Sequence, residues 1–284
     1  MVEEFIPLTN DLLFKEALAH KDNREALIYF LKSTTKFSEE VIRKNLVVKY
    51  ESIQDKTRVK DKSFRSDVDI RFDNYYINLE GYSHFDNNSL AKSTSYIMRI
   101  FSTQLDRGKK YNNLDSMIQI NIIENDETGL FKEFKNEYYI INSKDLDNRI
   151  LPNKFMIKYY NIDKINDGKY NEDSDEVRWI KFIGAKSKKE RSKIAKGDKV
   201  LISMENWVEE YVNDERTKRL FGEWGENIAL EKGFRKGLKQ GFNNGIKEKS
   251  FEIAKALTKK GFDIEEIMDI TKLSKEELNE IKNN

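Results

Sequence analysis

The 284-residue sequence has no cysteine and only two histidines, His20 and His84. The first absence excludes disulfides, thiolate zinc sites and cysteine nucleophiles. The second leaves little material for a histidine-built metal site or a histidine relay. The opening MVEEFIPLTNDLLFKEAL has no basic stretch followed by a long apolar run. Neither a signal peptide nor a membrane span is therefore expected, and the expected location is the cytoplasm. An excess of one charge is missing too, because 51 Lys and Arg stand against 50 Asp and Glu for a net +1. Any nucleic-acid surface has to come from local segregation of charge.

Charged residues make up 36%, hydrophobic ones 38% and aromatic ones 12% of the chain. Such a polar but aromatic-bearing composition fits a folded domain whose charges sit on solvated helix faces and loops. The length suffices for one domain with a full core plus appendages.

The apolar spacing of Leu12, Leu13, Ala17 and Leu18 predicts a helix from Asn10 to about Ala19. A second helix is expected from Asp22, with Glu25 completing a capping box and Leu27, Ile28, Phe30 and Leu31 facing inward. A short strand at Leu46–Glu51 precedes a polar loop to about Lys62. In Phe64–Phe72, Val68, Ile70 and Phe72 alternate with Asp67, Asp69 and Arg71, the period of a half-buried strand. Asp73-Asn74 makes a turn and Tyr75–Glu80 the returning strand of a hairpin. Ser89–Arg107 reads as the strongest helix, stopped at Gly108, and Ser116–Ile123 as a strong strand. Further strands are expected at Glu137–Ile141 and Phe155–Tyr160. That order predicts an α/β fold, a mixed sheet flanked by helices.

Beyond about Asp175 the pattern is helical, over Val177–Ile183, Lys199–Val212 and Glu215–Trp224. In the tail Gly233, Gly237, Gly241 and Gly245 recur every fourth residue, each followed by Phe234, Leu238, Phe242 or Ile246. Two readings stand: a helix that packs closely on a partner through its glycine ridge, or a partly helical linker. A small helical unit follows from Phe251, with a second capping box at Ser274 and Glu277. Its acids Glu265, Glu266, Glu276, Glu277 and Glu280 fit an accessory bundle better than a groove-reading face. The expected organisation is a core domain over 1–170, a helical extension over 171–230, and a glycine-spaced helix with a small helical tail over 231–284.

Asp67 and Asp69 share the face of their strand opposite Val68, Ile70 and Phe72, and Glu80 ends the next strand. Paired strands let such carboxylates converge, an arrangement suited to a hard cation such as Mg²⁺, or Mn²⁺ or Ca²⁺ in its place. By spacing alone the signal is weak, because two acids on a strand edge are usually just solvated.

Several stretches together resemble the recombination-promoting (Rpn) and transposase-associated branch of the PD-(D/E)XK nucleases. NDLLFKEAL with LIYFL after it resembles that family's opening Asp-x-x-Phe-Lys helix pair. FRSDVDIRFDNYYINLEGY resembles its Asp strand, turn and Ile-x-Ile-Glu-x-Gln strand. LAKSTSYIMRIFSTQLDRGKKYNNLDSMIQINII resembles the helix, Gly-x-x-Tyr turn and apolar strand that follow. The glycine-spaced tail and TKLSKEEL also look like the family's C-terminal end.

The resemblance implies a restriction-endonuclease-like fold and a metal-dependent DNA endonuclease tied to recombination, mobile elements or phage defence. It carries the metal-binding Glu onto Glu80 and the family Asp onto Asp67, with Asp69 as the alternative. Asp11 and Lys15 match first-helix positions, Lys15 as a phosphate contact, and Glu16 is a further acid there. The family usually has Gln or Lys two residues after the Glu, whereas this chain has Tyr82 after Gly81. Tyrosine carries no positive charge at neutral pH but can hydrogen-bond a water or a phosphate oxygen. Lys92, at the start of the next helix, is the candidate to supply the charge. Gly81 is a possible bulge or strand break. Either the site works with an altered third group, or the chain is a silent DNA-binding relative. A homodimer is expected, since two-fold symmetry offers a site to each antiparallel strand.

Overall fold

The computed structural model describes residues 5–49, 68–102, 104, 114–142, 144–149, 154–165, 170–171 and 173–282, without the side chains of 11, 146–149, 224–232, 234–236, 238–239 and 279–282. The chain divides into two compact units, Met1–Thr217 and Lys218–Asn284.

The first unit opens with α1 (Asp11–Ala19), whose N-cap Asn10 accepts from the amides of Leu12 and Leu13. The expected capping box at Asp22 is not formed. A 3-10 turn, Lys21–Asn23, intervenes, and His20 Nδ1 takes the Asp22 amide. The helix α2 (Arg24–Thr34) then starts behind Asn23 with no side-chain cap. A helix absent from the sequence reading, α3 (Glu39–Asn45), follows and buries only Ile42.

A mixed six-stranded sheet is built from β1 (Val47–Lys49), β2 (Val68–Phe72), β3 (Tyr75–Tyr82), β4 (Ser116–Ile123), β5 (Lys135–Tyr138) and β8 (Phe155–Asn161), in the order β1-β2-β3-β4-β8-β5. The expected strand at Glu137–Ile141 is instead β5 followed by a small separate ladder of β6 (Ile141–Asn142) and β7 (Asp145–Arg149). β2 and β3 form the expected hairpin, with Asp73 at the turn in the left-handed region at φ 46°, which Asp tolerates. The helix α4 (Asn87–Ser102) crosses from β3 to its parallel neighbour β4, and β4 runs parallel to β8. Leu105 and the expected stop at Gly108 lie outside the described residues. So does Asp67.

Strand alternation gives the sheet two different faces. Ile77, Leu79 and Gly81 of β3 point toward α1, where a Cβ on Gly81 would stand 2.6 Å from Phe14 Cγ. Gly81 is thus a close-approach glycine. It is not a bulge, since register runs unbroken through Tyr82 opposite Ile123. The other face lies under α4, where Tyr76, Phe85, Ile97, Met117, Phe155 and Tyr159 cluster. Every residue of β4 is buried, as a central strand covered on both faces requires.

Three further helices complete the unit: α5 (Asp175–Gly184), α6 (Lys188–Ala195) and α7 (Lys199–Asn213), capped by Ser174, Ser187 and Asp198. In the second unit the glycine-spaced segment lies within one continuous helix, α8 (Glu215–Lys259). Its C-terminal part, α9 (Ile264–Thr271) and α10 (Lys275–Lys282) pack around Ala254, Ile267, Leu273 and Leu278. The Ser274–Glu277 capping box is present, with reciprocal bonds of 2.9 and 3.3 Å. Among the described residues no helix is long and apolar enough to cross a membrane.

Candidate functional site

Glu80 and Tyr82 project from β3 on the α4 face, because they share parity with Tyr76 and Asn78. In register Asp69 stands opposite Asn78 on the neighbouring strand, one step from Glu80 along the same face. Two acids named by the sequence therefore lie diagonally across the hairpin on one side. Val68 pairs with Leu79, the residue before Glu80, so the described part of β2 begins just short of the Glu80 level.

Glu80 is only 1% exposed. Asp69 is half-buried and accepts from Asn78 Nδ2 at 3.3 Å. Burial pushes the Tyr76 phenol well above its ordinary value, and the Asp69 carboxylate beside it adds to the rise. A charge held there makes loss of the phenolic proton unfavourable. Tyr76 is also covered by Arg71, whose guanidinium carbon lies 4.8 Å from the ring centroid.

Lys92 comes from the first half of α4. Its Nζ sits 5.7 Å from the Tyr82 ring centroid and 5.3 Å from that of Tyr96. The Lys92 side chain thus brings a cation onto the Tyr82 ring. Lys15 and Glu16 belong to α1, whose Phe14 packs on the opposite face at Gly81. Lys15 is half-buried there and Glu16 fully buried. His84 stands apart, exposed, with Nε2 3.6 Å from Glu127.

Sequence reasoning missed a buried polar belt beneath α4. Asn78 pairs in register with Gln119, and Glu80 with Asn121. Ser93 of α4 donates to Asn121 Oδ1 at 3.0 Å and lies 3.2 Å from the Tyr159 hydroxyl. Gln119 Nε2 is 2.6 Å from Ser93 Oγ and 2.9 Å from Asn121 Oδ1. The signal available was the alternation of Gln119 and Asn121 with isoleucines inside an otherwise apolar strand. At the ends of β3 and β4 a second missed group forms: buried Glu124 accepts from Thr9 Oγ1 at 2.7 Å and pairs with Lys186.

The donor chemistry suits a hard cation. Asp69 and Glu80 offer carboxylate oxygens, the belt adds amide oxygens, and no thiolate or imidazole intrudes. Among the described residues no three Asp, Glu or His side chains gather for a metal ion.

The family model of the PD-(D/E)XK nuclease family transposases matches residues 8–225, which takes in all of the main sheet and the helices around it. No curated protein and no solved structure matches the chain. The mixed sheet with flanking helices agrees with the restriction-endonuclease-like fold, and the chain belongs to the PD-(D/E)XK nuclease family transposases.

Proposed function

We propose that this protein is a metal-dependent DNA endonuclease that hydrolyses phosphodiester bonds in the service of recombination, mobile elements or phage defence. Family membership supports the nuclease class. The observation that carries the reading to this chain is Lys92 lying on Tyr82 beside the Glu80 strand position. It returns a positive charge to a site whose usual third group is missing.

In this reading Glu80 holds Mg²⁺, or Mn²⁺ or Ca²⁺ in its place, together with Asp67 or Asp69. Such a cation, when bound, polarises the phosphate and provides a nucleophilic water at neutral pH. Lys92 holds a phosphate oxygen as a point charge, positioned by the Tyr82 and Tyr96 rings. The Tyr82 hydroxyl orients a water or a phosphate oxygen. Purified protein should nick supercoiled plasmid with Mg²⁺ or Mn²⁺ and not with EDTA.

A second reading is a silent DNA-binding protein that keeps the fold. The near-complete burial of Glu80 favours it, since a working carboxylate has to meet substrate or cation. Absence of nicking under every metal, with DNA binding retained, selects that reading.

We also propose a homodimer formed through α8. Side chains built on Gly233, Gly237, Gly241 and Gly245 would meet nothing within 4 Å among the described residues, and Phe242 and Ile246 are 70% and 52% exposed. A glycine ridge beside exposed apolar residues suits close approach of a second helix.

A further inference from the structure

Asp69, Asn78 and Gln119 stand level with one another on three neighbouring strands, all on the α4 face, with Glu80 next along β3. Asn78 and Gln119 have no exposed surface. Their amide nitrogens are accounted for. Asn78 Nδ2 donates to Asp69, and Gln119 Nε2 reaches Ser93 Oγ, Asn121 Oδ1 and, at 3.1 Å, the Ser93 carbonyl. A carboxylate and a backbone carbonyl only accept, so these contacts fix which end of each amide is nitrogen. Among the described residues, the two carbonyl oxygens, Asn78 Oδ1 and Gln119 Oε1, are left buried without a hydrogen bond.

Buried amide oxygens carry a desolvation cost unless something satisfies them. A hard divalent cation does so, because it takes Asn and Gln carbonyls alongside carboxylates. The carboxylates of Asp69 and Glu80 supply negative charge to a doubly charged ion, and neutral carbonyls extend its oxygen shell without adding repulsion. We infer that Asn78 Oδ1 and Gln119 Oε1 are neutral oxygen ligands of a divalent cation held by Asp69 and Glu80 beneath α4. The inference rests on the reading that Glu80 holds such a cation. A water donating both its protons to the two carbonyls is the competing occupant.

Mn²⁺ binding to the full-length protein, followed by the paramagnetic resonance signal of the free ion, tests this without recourse to activity. Asn78→Leu and Gln119→Met should each weaken Mn²⁺ binding by ~10–100-fold. Asn78→Asp keeps the oxygen and adds charge, so it should bind at least as tightly as wild type. Thermal melts in EDTA check that each variant folds. If a variant lacking the oxygen does not fold, Asn78→Asp decides, and weaker Mn²⁺ binding by it overturns the assignment. Wild-type affinity in both Asn78→Leu and Gln119→Met also overturns it and leaves the carbonyls to water, while the Glu80 reading stands if Glu80→Gln abolishes binding. Failure of the wild type itself to bind Mn²⁺ overturns both.

Discussion

The Lys92 ammonium lies 5.7 Å from the centre of the Tyr82 ring, joining the start of α4 to the end of β3. A cation that stays in water while resting on an aromatic ring contributes about 0.5–1 kcal/mol, enough to bias the exposed Lys92 without fixing it. Lys92→Met should therefore leave the melting temperature nearly unchanged. It should slow plasmid cleavage by about tenfold, equivalent to about 1.4 kcal/mol of transition-state stabilisation. Tyr82→Ala removes one of the two rings against which Lys92 rests and should show a smaller loss. Equal cleavage by Lys92→Met and wild type would remove Lys92 from the site.

Gly81 has no room for a side chain. The ring of Phe14, 1% exposed, occupies the position a Cβ would need, at 2.6 Å. Gly81→Ala should cost about 1–3 kcal/mol by overpacking, read by chemical denaturation. Adding Phe14→Leu should recover part of that loss. A neutral Gly81→Ala would contradict the α1–β3 contact.

On the opposite face from Glu80, Lys158 is nearly buried and reaches Glu137 at 3.0 Å and the Thr34 carbonyl at 2.8 Å. Burial is the largest influence on Glu137 and pushes its carboxyl up. Lys158 and Lys135 together outweigh it and hold the group below its ordinary value of 4.5. A depressed carboxyl stabilises the fold above the unfolded value, and that stability is lost as pH falls through the folded one. Lys158→Met should destabilise by about 1–3 kcal/mol at neutral pH. It should also flatten the loss of stability below pH 4.5, measured by denaturation across pH. An unchanged acid limb would rule out this coupling.

The parts of the fold that could be read in the sequence are those with one dominant period. Val68, Ile70 and Phe72 alternate cleanly, and the apolar run over Ser116–Ile123 leaves no choice but a buried strand. The helix α6 escaped because KKERSKIA buries only Arg191 and Ala195 and so has no apolar stripe. Glu80, Tyr82 and Lys92 are singled out by motif order alone, and the folded chain adds that the lysine lies on the Tyr82 ring. Asn78 and Gln119 were not legible. An isolated amide in a strand looks solvated until a helix is known to cover it, and that covering by α4 is a tertiary event.

The exposed stripe on α8 makes a prediction about assembly. Sedimentation of the full-length protein should show a dimer, and Phe242→Glu with Ile246→Glu should convert it to a monomer. A wild-type monomer at every concentration would end the dimer proposal.

Cleavage of supercoiled plasmid by wild type and Glu80→Gln, side by side in Mg²⁺, Mn²⁺ and EDTA, tests the central claim most directly. Glu80→Gln preserves shape and removes only the charge that holds the cation. The account predicts metal-dependent nicking by the wild type, with a loss on the order of a hundredfold in the variant. Equal nicking by both proteins, or none by the wild type in any metal, would contradict it.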